Sequence, residues 1–169
     1  DLEDAYEDRP LMTDDAVTIT QAYVVAYMAE HLRLEADDRV LEINAGSGYE
    51  AAMLAEIVHE VYATAPFLVN AEKAQKSLGA LGYENVHVQQ ADGFAGWPEY
   101  GPYDAIFVRA AVTEISEAWG AQLKEGGRMV VPLGDDFLQS LVLLEKRNDG
   151  TFLKTQLIPV QFMPLPTLE

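Results

Sequence analysis

VLEINAGSGYEAAMLAE, Val40 to Glu56, holds a short apolar run, a turn with two glycines and then Ala, Met and Leu at helical spacing. The order is strand, tight turn, helix, and the rest of the chain is legible from it. Glycines at 46 and 48 let a backbone approach a ligand closely, and the first turn of a following helix offers unpaired N–H groups. The turn Asn44-Ala45-Gly46-Ser47-Gly48-Tyr49 does not match G-x-G-x-x-G, so a dinucleotide pyrophosphate site is disfavoured. Alone, such a turn is weak evidence, because a tight strand-to-helix connection needs no ligand.

Outward from this unit the pattern repeats. Toward the N-terminus, Ile19, Tyr23, Val24, Tyr27, Met28 and Leu32 fall near helical spacing, which predicts an amphipathic helix beginning around Thr20 or Gln21. Residues 1–17 read as an irregular segment, with Pro10 closing off any earlier helix. Toward the C-terminus, strands are expected at 39–44, 60–65, 85–92, 103–111 and 128–134. Helices are expected from the glycine turn to about His59, then over LVNAEKAQKSLGALGY and over EISEAWGAQL, with EGG as a turn. The run YDAIFVRAA is nearly all apolar, as a central parallel strand is. QSLVLLEKR and TFLKTQLIPVQF read as a closing hairpin around NDG. Strands alternating with helices predict a doubly wound α/β sheet, mostly parallel with an antiparallel C-terminal hairpin, in one domain over 1–169.

The chain carries 28 Asp and Glu against 11 Lys and Arg, a net charge of −17. Such a field repels phosphate backbones and anionic membranes, so neither nucleic acid nor a membrane is an expected partner. The acid is spread along the chain, which suits either a salt-loving host or an ordinary acidic cytoplasmic protein. With no cysteine there is no disulfide and no thiolate metal site, and a cytoplasmic location is expected. His31, His59 and His87 are scattered without ligand spacing, so no metal site is expected. The chain opens on Asp rather than Met, which points to a start that has been removed.

Taken in order, YEDRP, VTITQAYVVAYMAE, RVLEINAGSGYEAAMLAE, LGYENVHVQQADGFAGWPE, YDAIFVRAAVTEI, LKEGGRMVVPLGD and VQFMPL carry a resemblance. The chain resembles protein-L-isoaspartate O-methyltransferase from about Tyr6 to Leu165, without that family's N-terminal helical segment. The glycine turn matches the family's E-x-G-x-G-x-G loop except at Asn44. The resemblance implies a Rossmann-like methyltransferase sheet and S-adenosylmethionine as cofactor, with S-adenosylhomocysteine as product. It implies methyl transfer to the free carboxylate of L-isoaspartyl residues in damaged proteins and peptides, a repair reaction.

Carried over position by position, the loop from Glu42 through Asn44, Ala45, Gly46 and Ser47 to Gly48 would hold the methionyl part of the cofactor, with Ser47 near its carboxylate. Asp92 and Gly93 would flank the adenine. Thr18 and Thr20 would bring a hydroxyl to the substrate carboxylate. Four positions depart from the family pattern. Asn44 replaces a glycine, although Asn tolerates positive φ better than most residues. Ala65 stands where an acid binds the ribose hydroxyls, a loss of roughly 2–4 kcal/mol. Asp14 and Asp15, in TDDAV, bring like charge to the substrate loop. Arg109 replaces a small residue and is expected to point into the same cleft, against Asp14, Asp15, Glu42 or Asp92. Three readings stay open at this point: a working, diverged isoaspartyl methyltransferase; a family scaffold whose ligand site has been lost or rebuilt around Asp14, Asp15, Asn44 and Arg109, with Trp97 nearby; or a methyltransferase acting on some other carboxylate or small molecule.

Overall fold

A computed structural model describes residues 6–12 and 18–167. The chain enters through β1 (Leu11–Met12) and β2 (Thr18–Ile19), an antiparallel pair with Leu11 opposite Ile19. This pairing falls partly in the segment read as irregular; two residues are too few to show a period. α1 (Ala22–Leu32) begins just after Gln21, buries Val24, Val25, Met28 and Leu32 along one face, and ends on Arg33 in the left-handed region.

The main sheet follows: β3 (Arg39–Ile43), α2 (Tyr49–Ala55), β4 (Glu60–Ala65), α3 (Leu68–Leu81), β5 (Val86–Gln90), β6 (Tyr103–Val108), α4 (Glu117–Gln122), β7 (Leu123–Gly134), β8 (Gln139–Lys146) and β9 (Phe152–Val160). The strand order is β5-β4-β3-β6-β7-β8-β9. The first five of these neighbours run parallel, whereas β8 and β9 pair antiparallel as the closing hairpin. β4 and β5 lie to one side of β3 and β6 to the other, so the order reverses beside β3. Open α/β sheets bind ligands at the carboxyl ends of the strands flanking such a reversal.

Burial explains the continuous apolar runs. Val40, Leu41, Ile43, Ile106, Phe107 and Val108 are all fully buried, because both faces of the sheet are covered. One core gathers α1, α2 and α3 on Val40, Ala63 and Phe107; the other packs Trp119, Tyr103 and Met129 on the opposite face.

Three expected boundaries shift. α2 stops at Ala55 rather than near His59, with Ile57 and Val58 closing a turn onto the Leu54 carbonyl. α4 spans only Glu117–Gln122. The glycines read as a turn at 126 and 127 lie inside β7, where Gly126 holds φ 76° and the register with β6 shifts between Tyr103 and Ala105. A Cβ at Gly127 would come 2.9 Å from the Asp104 carbonyl oxygen, so glycine here serves close strand approach. Among the described residues no helix is long and apolar enough to cross a membrane.

Candidate active site

A cleft of about 950 Å³ opens at the carboxyl ends of β3, β4 and β6. Its walls bring together Thr18, Thr20, Asn44, Pro66 and Arg109, with the stretch 158–163 after and within β9 opposite. That volume suits a cofactor-sized ligand with a substrate side chain beside it.

The glycine turn is built as its residues require. Asn44 takes φ 72° and Gly48 φ 89°, both in the left-handed region. The Ala45 N–H donates to the Thr64 carbonyl at 2.7 Å, which ties the turn to β4. The Ser47 hydroxyl accepts from the Tyr49 N–H at 3.3 Å. Asn44 lines the cleft, and its Nδ2 donates to the Arg109 carbonyl at 3.2 Å. Beneath it, Thr64 Oγ1 donates to the Glu42 carbonyl at 3.4 Å.

Arg109 does point into the cleft, but its partners differ from those expected. Nε donates to the Asn44 carbonyl at 2.8 Å and Nη1 to the Thr18 carbonyl at 2.9 Å. The carboxylate beside it is Glu50, with Nε 3.8 Å from Oε1, rather than Glu42 or Asp92. Asp14 and Asp15 lie outside the described residues.

Glu50 is the residue that sequence reasoning missed. It sits in the first turn of α2, within YEAAMLA, and is only 1% exposed. An acid interrupting an otherwise apolar helical segment was the available signal. Glu42 is fully buried, and none of the four carboxylate oxygens of Glu42 and Glu50 accepts a hydrogen bond among the described residues. Burial, then the charge of Glu50, push Glu42 up to about 8, with Arg109 pulling the other way. Burial and the neighbouring Glu50 thus favour the protonated form of Glu42, and Arg109 is the cation beside this buried pair.

The other site candidates divide. Ala65 ends β4 fully buried, with no carboxylate to offer; Glu60 at the far end of that strand is bound to Arg39 and Tyr62. Asn70 on α3 is the first polar side chain lining the cleft after Ala65. Asp92 turns back to accept from the Phe94 N–H at 3.0 Å. Gly93 is pressed from outside: a Cβ there would stand 2.9 Å from Leu165 Cδ1 and 3.2 Å from Ile43 Cγ2. Asp92 and Gly93 do not line the large cleft. Trp97 is not part of the site either. It packs edge-on against Tyr62 at 5.5 Å, and its carbonyl accepts from the Tyr103 hydroxyl.

The sequence matches the family described as protein-L-isoaspartate(D-aspartate) O-methyltransferase over residues 2–169. It is 46% identical to protein-L-isoaspartate O-methyltransferase 2 of Pelobacter propionicus over 162 residues, 95% of this chain and 72% of that one. It is 48% identical to protein-L-isoaspartate O-methyltransferase 1 of Nitrosospira multiformis, covering 95% of this chain and 69% of that one. A solved protein-L-isoaspartate O-methyltransferase superposes with a TM-score of 0.89 at 32% identity, over 97% of this chain and 54% of the other; the chain thus spans about half the length of that structure. A Plasmodium falciparum structure assigned to the same enzyme class, in complex with S-adenosyl-L-homocysteine, shares the fold with a TM-score of 0.82 at 22% identity.

Proposed function

The chain belongs to the protein-L-isoaspartate O-methyltransferase family, and from that premise we propose that it methylates the free carboxylate of L-isoaspartyl residues in damaged proteins, using S-adenosylmethionine. The observation that carries this reading is the turn Asn44–Gly48. It keeps the left-handed φ values of a glycine loop despite Asn44, and it ends β3 at the mouth of an open cleft.

The residues present fit the cofactor. Four buried carboxyl oxygens of Glu42 and Glu50, beside the loop, have hydrogen-bonding capacity that the described residues leave unused, and polar groups of the cofactor would meet it. In this reading Glu42, Asn44, Ala45, Gly46, Ser47 and Gly48 form the methionyl cradle, with Ser47 toward the cofactor carboxylate. Asp92 and Gly93 flank the adenine. At Ala65 the ribose hydroxyls lack a carboxylate, and the Asn70 amide, a donor and an acceptor, takes the contact in its place. When bound, the cofactor supplies a sulfonium-activated methyl group, whose transfer forms an O–C bond as the C–S bond breaks and needs no proton.

The protein therefore works by placement and desolvation. Thr18 and Thr20 bring hydroxyls to the carboxylate, which is already a nucleophile. The stretch 158–163 walls the opposite side and limits water. Asp14 and Asp15 belong to the substrate loop and set its charge. Substrates are damaged proteins or peptides, and the cysteine-free composition suits a cytoplasmic setting. Nothing in the geometry of the described residues favours a lost or rebuilt site, since Arg109 is bonded at the rim and the cleft stays open.

Calorimetric titration with S-adenosylhomocysteine at low and molar salt, followed by methylation of an isoaspartyl peptide, tests this. Micromolar binding and methyl ester formation are expected. No binding at either salt overturns the cofactor assignment.

A further inference from the structure

An acidic chain that acts on a carboxylate has a charge problem. The net charge is −17, and of its 11 Lys and Arg only Arg109 lines the cleft among the described residues. The geometry points to Arg109 as the group that receives the reacting carboxylate of the substrate, an assignment that rests on the function proposed above.

The guanidinium is held for that task from behind. Nε and Nη1 are fixed on two backbone carbonyls, those of Asn44 and Thr18, which come from the end of β3 and from β2. Glu50 stands at 3.8 Å, beyond hydrogen-bond reach. A guanidinium carries five N–H groups in a rigid fork. Two are spent on the carbonyls, and the remaining three make no hydrogen bond with the described residues. The side chain is 11% exposed, and that exposed part faces the cleft.

Position supports the role as well as charge. Arg109 follows β6 directly and its N–H continues the ladder to the Ile43 carbonyl at 3.0 Å, so its Cα is fixed by the sheet. Through its bond to the Thr18 carbonyl it touches the strand whose hydroxyl is assigned to the same substrate group. The cofactor loop and the substrate strand thus meet on one cation. A planar fork offered from a partly desolvated rim suits a carboxylate and gives nothing comparable to a carboxamide.

The test compares wild type, Arg109→Gln and Arg109→Lys. Gln keeps donors for the Asn44 and Thr18 carbonyls while losing the charge; Lys keeps the charge. Two readouts are taken: KM and kcat for an isoaspartyl peptide, and binding of that peptide against its isoasparaginyl counterpart with S-adenosylhomocysteine present. Wild type is expected to prefer the carboxylate peptide at least tenfold. In Arg109→Gln the KM rises on the order of tenfold to a hundredfold and the preference disappears. Lys recovers part of both, and the carboxylate preference is read at saturating S-adenosylhomocysteine, so that a change in cofactor affinity does not enter it. A merely structural role would weaken both peptides alike. A wild-type chain that methylates no isoaspartyl peptide overturns the functional reading and this assignment with it. Methylation with KM and preference unmoved in Arg109→Gln overturns the assignment alone.

Discussion

The Asn44 amide donates to the Arg109 carbonyl at 3.2 Å while the Arg109 guanidinium donates back to the Asn44 carbonyl at 2.8 Å. The two residues are thus one reciprocal latch across the ends of neighbouring strands.

Asn44→Ala and Asn44→Gly separate the two halves of that latch. Alanine loses the amide bond and strains a φ of 72°, and is expected to cost about 2 kcal/mol in urea unfolding. Glycine loses the bond but relieves the backbone, and is expected to stay within about 1 kcal/mol of the parent. Equal stability of the two variants would argue against the strained-turn account.

Arg109→Met leaves Glu50 buried without its cation, and a loss of about 3 kcal/mol is expected. Adding Glu50→Gln in the same chain removes the orphaned charge and should return most of that loss. A double variant no more stable than Arg109→Met alone would show that the pair does not couple.

Glu42 sets a pH dependence. Its carboxyl is raised from 4.5 to about 8 by burial and by the charge of Glu50. Between those values the folded chain keeps a proton that the unfolded chain has released, so this contribution is whole below 4.5 and is lost as pH rises through 8. Glu42→Gln has no proton to lose. Its unfolding free energy relative to the parent should therefore improve by up to ~1.4 kcal/mol per pH unit between about pH 5 and 8. A difference that stays flat over that window, measured on the ligand-free protein, would mean that Glu42 is ionised when folded.

Gly93→Ala tests why that glycine is there. The added Cβ would crowd Leu165 at 2.9 Å and Ile43 at 3.2 Å, at an expected cost of roughly 1–3 kcal/mol. Combining it with Leu165→Ala relieves the main clash. If S-adenosylhomocysteine affinity stays weak in the double variant while stability recovers, the adenine lies against residue 93; if affinity recovers as well, the glycine serves packing alone.

The strands were legible because burial on both faces writes itself as nearly continuous apolar runs, as at Tyr103–Val108, where only Asp104 interrupts. The positive φ of Asn44 was legible too, since Asn follows the strand where a glycine is expected. What stayed hidden depends on partners distant in sequence. Gly126 and Gly127 carry a turn signal that pairing with β6 overrides. Trp97 reads as a cleft residue by proximity to the loop, yet the rings of Tyr62 and Tyr103 claim it for the core. Glu50 and Arg109 meet only once α2 and the end of β6 converge, and no local pattern announces an ion pair across that gap.

The cleft takes walls from segments far apart in sequence: residues 10–12 and 18–24 on one side, 158–163 on the other. The Ala111 N–H binds the Met163 carbonyl and the Leu165 N–H binds the Ala111 carbonyl, so the last stretch is strapped across the end of the sheet. The cleft therefore exists only where segments far apart in sequence are docked together on the sheet. Local opening of either segment would dismantle the pocket while the five parallel strands stay paired.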